Sequence, residues 1–499
     1  MDSMNPANDH MRCFNGSREI SLFDKADFLA SLVCDPKDHE TTESAFFHWL
    51  DQQRDCVTAE IQKIPFCRLR DWYFHPETGN ICHVSGKFFT IHGIDISTNH
   101  GIKTHWQQPI INQPEVGILG IIAKKINGVL HFLMQAKIEP GNINYVQLSP
   151  TLQATRSNCS RVHGGNKPLY LDYFTGESDA RVRVLVDQLQ SEQGARFLKK
   201  RNRNMIIEVF DGLPIFDNFI WLSLGQIKAL MRRDNTVNMD TRTVISSISY
   251  GHSLRDDFQC ADAIDEAMLT SALDLNKAYL DLDHHIAWMT RLKTLYELDV
   301  HPIPLNQVAG WVRSDDEIYH AERKYFRVLA VDVCIGNREV KQWSQPIMQS
   351  AQEGIIGFLV KKINGVYHFL VQAKVEAGNF DILELAPTVQ CLTGNYRKGM
   401  SEYEVPFLEH FLNAEPGQIL YKTLQSEEGG RFFREQNLNI LVEVGDEFPV
   451  EPLPQRYTWM TLGQLMEFIR YNNYLNIQAR SLLSAIDFRK EPVVGNRER

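Results

Sequence analysis

Two stretches of this chain, Trp106 to Gln153 and Trp343 to Gln390, align without a gap and share 26 of 48 residues. Solenoid units recur at roughly 20 to 50 residues. These copies lie much further apart, so the repeat marks a duplicated domain. Any fold for this chain must therefore be built twice, with the same strands and turns in each half.

Asn127-Gly128 and Asn364-Gly365 stand between apolar runs in the two copies. Asn-Gly is the strongest short hairpin signal, because both turn positions need a positive φ. The strand after each turn alternates. Leu130, Phe132, Met134, Ala136 and Ile138 share one face, as do Tyr367, Phe369, Val371, Ala373 and Val375. His131, Leu133, Gln135, Lys137 and Glu139 share the other, and His368, Leu370, Gln372, Lys374 and Glu376 repeat them without a change. The first face varies among apolar types, as a core does at constant volume. The second could be a plain solvated face, but solvent gives no reason to keep one residue at each position. A ligand cleft built on the sheet does.

Around this stretch each half reads as a mixed α/β unit, with helix, strands, hairpin, loop, helix end, strand and two helices. Thr42 to about Lys63 has a helical period with Thr42 as N-cap, and 284–298 is its counterpart. The blocks LQSEQGARF and LQSEEGGRF each read as a helix end before a strand, and Ser223 and Thr461 as N-caps of the next helices. The expected division is an N-terminal tail with one short helix at 1–40, a first unit at 41–250, a linker of polar loop and short helix at 251–283, a second unit at 284–489 and a C-terminal tail at 490–499.

A net charge of −10 disfavours nucleic acid or an anionic membrane as the main partner. Nine scattered cysteines with no CxxC pair suit reduced thiols, and the first residues lack a signal-peptide core, so a cytoplasmic location is expected. No apolar run is long enough to span a bilayer. Dinucleotide, P-loop, zincin and nucleophile-elbow motifs are absent, and no Cys/His spacing suits zinc. The chemistry is thus expected to come from ordinary polar side chains, with no metal and no cofactor.

Lys137 and Glu139, two apart on one strand face, are an ion pair or an acid/base pair, as are Lys374 and Glu376. Arg156, Ser157 and Asn158 form a donor cluster just past the strand, and Asn395, Tyr396 and Arg397 occupy nearly the same place in the second half; the arginine fork suits phosphate. Trp72 and Trp311 are either core tryptophans or stacking surfaces for a base. Gln190-Ser191-Glu192 and Gln425-Ser426-Glu427 recur unchanged, as caps or as ligand contacts.

With QAKIEPGN, QLSPTLQATRSN and RVHGG, their partners QAKVEAGN and ELAPTVQ, and the duplicated LQSE blocks, the chain resembles the NDP-hexose 2,3-dehydratases over about residues 45 to 488. The resemblance implies two Nudix-related domains per chain, a homodimer, and a dTDP-sugar pocket in each domain with one of them catalytic. It implies dTDP-4-keto-6-deoxy-D-glucose as substrate and loss of its C2 hydroxyl. Glu139 is then the expected base, Lys137 or His131 the donor, and Trp72, Gln135, Thr155, Arg156, Ser157, Asn158, Cys159, Gln190 and Ser191 the binding residues. Trp311, Gln372, Lys374, Glu376, Asn395, Tyr396, Arg397, Gln425 and Ser426 would line the second pocket. The family pattern shows an aromatic where this chain has Cys159, which puts one substrate contact in doubt. The Nudix box of glutamates is missing. Two other functions fit a chain of this kind, an NDP-sugar pyrophosphohydrolase and a nucleotide-sugar binding protein without turnover. Turnover is expected to survive EDTA; a loss on chelation that Mg²⁺ restores would point to the hydrolase.

Overall fold

The computed structural model describes residues 22–34, 39–155, 167–178, 180–250, 265–336, 340–392 and 404–489. The first half holds β1 (Ala59–Ile64), β2 (Trp72–Phe74), β3 (Ile81–His83), β4 (Thr90–Thr98), β5 (His105–Asn112), β6 (Gly117–Ile126), β7 (Val129–Ile138), β8 (Val146–Ser149), β9 (Leu152–Ala154), β10 (Val182–Ser191), β11 (Arg201–Val209) and β12 (Phe219–Ser223). The second holds β13 (Leu298–Ile303), β14 (Trp311–Arg313), β15 (Glu317–His320), β16 (Phe326–Ile335), β17 (Gln342–Ser350), β18 (Gly354–Ile363), β19 (Val366–Lys374), β20 (Glu384–Ala386), β21 (Val389–Leu392), β22 (Ile419–Ser426), β23 (Gln436–Glu443) and β24 (Tyr457–Thr461). The helices are α1 (Leu22–Val33), α2 (Glu43–Asp55), α3 (Leu171–Thr175), α4 (Leu224–Leu230), α5 (Met239–Ser246), α6 (Glu266–Leu273), α7 (Leu282–Leu295), α8 (Leu408–Leu412), α9 (Leu462–Ile469) and α10 (Ile477–Ser484).

The expected hairpins form in both halves. Asn127 and Gly128 have φ of 52° and 83°, and Asn364 and Gly365 have 52° and 79°. Each hairpin is the centre of a large sheet. In the first, the order is β10-β11-β6-β7-β12, with β8 on β7 and β9 on β6; in the second, β22-β23-β18-β19-β24, with β20 on β19 and β21 on β18. β6 runs parallel to β11 and β18 to β23. The alternating apolar face packs under helices, with Phe28, Leu29 and Leu32 of α1 and Leu224 and Ile227 of α4 against Phe132 and Met134. The opposite face is apolar at its hairpin end, where α3 lies on Leu133. A side chain at Gly120 would collide with Phe174 of α3, and one at Gly357 with Phe411 of α8. Thr42, Ser223 and Thr461 cap their helices as expected, the last two in full capping boxes.

Two expectations are corrected. The helix expected to run to Lys63 stops at Asp55, and Ala59–Ile64 is β1. It pairs with β16 of the other half, and β13 pairs with β4 in return. Tertiary strand pairing overrides the helical period there. The LQSE blocks end strands β10 and β22 rather than helices. The short helices expected in the tail and the linker form as α1 and α6, and both pack in the core. Ser31 of α1 donates to Leu130 O and accepts from Leu224 N–H; Ser271 of α6 does the same with Tyr367 O and Leu462 N–H.

The halves also interlock at their centres. Gly141 N–H donates to Gly429 O and Gly378 N–H to Gly194 O, each at 2.7 Å. Arg242 reaches across to Ser481 Oγ at 2.7 Å and to the Ser426 carbonyl, while Arg480 reaches the Ser191 carbonyl. A Cβ at Gly141 would lie 1.6 Å from Phe432 O, and one at Gly378 1.7 Å from Phe197 O. Gly141→Ala and Gly378→Ala are therefore each expected to cost about 1–3 kcal/mol or more in urea unfolding. Gly212→Ala, which meets nothing within 4 Å, is the control and should change stability by less than about 0.5 kcal/mol.

Candidate active site

The end of β7 carries Lys137, and Glu139 follows it. Lys137 Nζ donates to Gln153 Oε1 on β9 at 2.6 Å. The Gln153 amide then donates to Glu139 Oε1 at 3.2 Å and to Asp240 Oδ2 in the first turn of α5. One glutamine thus ties an ammonium to two carboxyls, and Glu139 and Asp240 are both buried. The second half closes the cluster. Gly429 approaches so near that a Cβ there would lie 2.9 Å from Glu139 Cβ and 2.3 Å from Asn142 Oδ1. Glu428, just before it, interacts electrostatically with Glu139, Lys137, Lys200 and Arg431. Glu192 joins the cluster through Glu428 and accepts from Asn202 at 2.6 Å.

The second cleft has the same frame and different charges. Gln390 donates to Glu376 Oε1 at 3.1 Å and accepts from Asn476 at 2.7 Å. Gly194 comes up against Glu376 as Gly429 does against Glu139. However, Gln478 stands at the place of Asp240, and Gln193 at that of Glu428. Gln193 donates to Glu427, where the first cleft sets Glu428 against Glu192. The first cleft is therefore rich in carboxyls and the second in amides.

The other expected site residues scatter. His131 is fully buried; its Nδ1 faces Val129 O at 2.9 Å and its Nε2 accepts from Glu40 N–H at 3.2 Å. His368 binds Val366 O and Tyr279 N–H in the same way, so a shared structural tie accounts for this identity. Gln135 is half-buried on β7 opposite Ser149, and Gln372 donates to the carbonyls of Pro387 and Thr388. Gln190 and Gln425 donate across the halves to Ile469 O and Met231 O, each at 2.6 Å. Ser191 donates to Glu384 and Ser426 to Asn235, again across the halves. Trp72 packs in the core against Phe89 and His83, and Trp311 against Phe326, with its indole N–H on Gln107 O. Thr155 is half-buried directly after β9. Arg156, Ser157, Asn158, Cys159, Asn395, Tyr396 and Arg397 lie outside the described residues. Gln153, Asp240 and Glu428 are not among the expected site residues, whereas Glu192 belongs to the recurring Gln190-Ser191-Glu192 block. The signal for two of them is present in the repeat itself, where Asp240 aligns with Gln478 and Glu428 with Gln193.

The family model for NDP-hexose 2,3-dehydratase matches twice, at residues 43–248 and 282–486. The chain belongs to that family of sugar-nucleotide dehydratases. Among its relatives, a dTDP-4-dehydro-6-deoxy-alpha-D-glucopyranose 2,3-dehydratase of Saccharopolyspora spinosa is 47% identical over 89% of this chain and 91% of its own length. Proteins of the same name from Amycolatopsis orientalis and Streptomyces violaceoruber are 43% and 41% identical, covering 88% and 89% of this chain and 89% and 97% of their own. No helix among the described residues is long and apolar enough to cross a membrane.

Burial dominates the electrostatics of both clefts. It holds Asp240 well above the usual carboxylate range, helped by the charges of Glu139, Glu428 and Glu192 and opposed by Lys137. Glu192 is pushed up to about 7 by burial and then by Glu428. In the second half, burial raises Glu376 against the pull of Lys374 and Arg196, and lifts Glu384 to about 8 despite its hydrogen bond from Ser191. A carboxyl raised on folding stabilises the fold fully at low pH, and that contribution is lost as pH rises through the folded pKa. The first half has Gln147 where Glu384 stands. Glu384→Gln is thus expected to match the parent protein's Tm near about pH 5 and exceed it near about pH 9. A parallel pH profile for the two proteins would show that Glu384 does not titrate on unfolding.

Proposed function

We propose that the protein removes the C2 hydroxyl of dTDP-4-keto-6-deoxy-D-glucose and that the first cleft does the chemistry. The C4 ketone acidifies the C3 proton. Loss of that proton gives an enolate, and collapse of the enolate expels the C2 hydroxyl. The resulting enol tautomerises to a 3,4-diketo-2,6-dideoxy sugar, a product for deoxysugar biosynthesis. This needs a base, a donor for the C4 oxyanion and an acid, with no electron transfer. The Lys137–Gln153–Glu139 network, in a chain of this family, is the observation that best supports the assignment. Glu139 is the base. Lys137, already aimed by Gln153, is the cation for the oxyanion. The segment after β9, with Thr155, Arg156, Ser157, Asn158 and Cys159, is read as the holder of the diphosphate and sugar.

The second cleft, with Lys374 and Glu376, is read as a nucleotide-sugar binding pocket without turnover. Its amides at Gln478 and Gln193 stand where the first cleft has the carboxyls of Asp240 and Glu428. A Nudix-related fold for each half, a homodimer and a cytoplasmic location complete the proposal, and these rest on the resemblance.

The test is turnover of dTDP-4-keto-6-deoxyglucose, with the product identified by NMR. Glu139→Gln should lose on the order of 10²–10⁴-fold in kcat, the usual size of an acid/base contribution. Glu376→Gln should keep most of its turnover. The reverse pattern would move the chemistry to the second half, and release of dTMP would make the protein a hydrolase.

A further inference from the structure

The base and the oxyanion donor leave one role unfilled. Hydroxide is a poor leaving group, so the departing C2 oxygen must receive a proton from somewhere. The first cleft holds a group suited to it. Asp240 sits in the first turn of α5, buried, and shares the Gln153 amide with Glu139. One glutamine therefore fixes both carboxyls relative to each other and to Lys137. A second feature points to a ligand here. Asn142 Oδ1, packed against Gly429 and beside Glu139, is a buried acceptor without a hydrogen-bond partner. The second cleft supplies the internal comparison, since its frame is intact but amides replace both Asp240 and Glu428.

We propose that Asp240 is the acid that protonates the departing C2 hydroxyl, and that Glu428, brought in by the second half, is its positioning partner. This rests on the reaction proposed above. Glu139 takes the C3 proton as the C3–H bond breaks, and the electron pair forms the enolate. The C4 carbonyl then re-forms, the C2–C3 double bond appears, the C2–O bond breaks, and Asp240 delivers a proton so that water leaves. In the tautomerisation Glu139 returns its proton to C2, and the enol hydroxyl at C3 gives its proton back to Asp240. Both carboxyls end as they began, and no oxidant or reductant is needed.

The surroundings suit this assignment. Burial and the facing carboxyls of Glu139, Glu192 and Glu428 favour the neutral acid, while Lys137 opposes it from β7. Arg242 on the same helix also lies within the field of Asp240. Arg431 and Lys200 moderate Glu428 itself.

The experiment follows the two halves of the reaction separately in D₂O, as exchange of the substrate C3 proton and as release of water. Asp240→Asn should keep the exchange and lose elimination by on the order of 10²–10⁴-fold. Asp240→Glu should recover part of that loss. Glu139→Gln should lose exchange and elimination together. Glu428→Gln should move the alkaline limb of kcat to lower pH, because removing a like charge lets Asp240 ionise earlier. Thermal melts accompany each variant, and the glutamine at 478 shows that the frame accepts an amide at this place. Near-normal elimination by Asp240→Asn would overturn the proposal, as would equal loss of exchange and elimination in a variant that melts like the parent. An unaltered kcat–pH profile in Glu428→Gln would remove Glu428 from it. A parent protein that neither exchanges nor eliminates would instead sink the proposed function, and this inference with it.

Discussion

The two halves meet backbone on backbone. Gly141, at the end of one half's central hairpin, lies against the carbonyl of Phe432 in the other half, and Gly378 lies against that of Phe197. No side chain fits at either place. This contact brings the turn with Glu428 and Gly429 to the end of β7, and the turn with Gln193 and Gly194 to the end of β19. Each cleft is therefore completed by the half that does not own its sheet. The crossed strands β1 and β13 and the arginine pair Arg242 and Arg480 tighten the same arrangement. Removing either half would leave the other with an unpaired strand edge and an open cleft.

Much of the fold is legible in the repeat. The Asn-Gly turns, the alternating strands and the helix caps depend on local chemistry, and local chemistry is written in neighbouring residues. What fails depends on partners distant in sequence. Ala59–Ile64 has a helical period, yet it is taken by a strand 270 residues away in register, Ala59 opposite Ile335 and Ile64 opposite Ala330. α1 and α6 sit in segments that look like tail and linker because their helical stripes are short. Only the groove over β7 or β19 makes them core.

For the site, identity between the halves is a mixed guide. It marks groups that both halves need, and most of those hold the halves together. His131 and His368 tie down backbone, Gln190 and Gln425 bridge the halves, and Arg242 and Arg480 clamp them. The proposed site rests instead on difference inside a common frame. Asp240 against Gln478 and Glu428 against Gln193 change the charge of the cluster, while the glutamine that ties the strand-end glutamate, Gln153 or Gln390, stays in place.

That substitution also explains why two halves in one chain serve better than a symmetric pair of identical chains. In a symmetric dimer both clefts would carry the same four carboxyls, and each set costs stability, because burying charges of one sign is unfavourable unless cations face them. Within one duplicated chain the two sets can differ. The first is faced by Lys137, Lys200 and Arg431, and the second exchanges two of its carboxyls for Gln478 and Gln193 while keeping Glu376 and Glu384. Covalent linkage then holds the donated turn in place at any protein concentration, so the acid cluster does not depend on two molecules meeting. In the proposed assignment, the duplication lets one composite cleft specialise for proton transfer while its twin supports the shared frame.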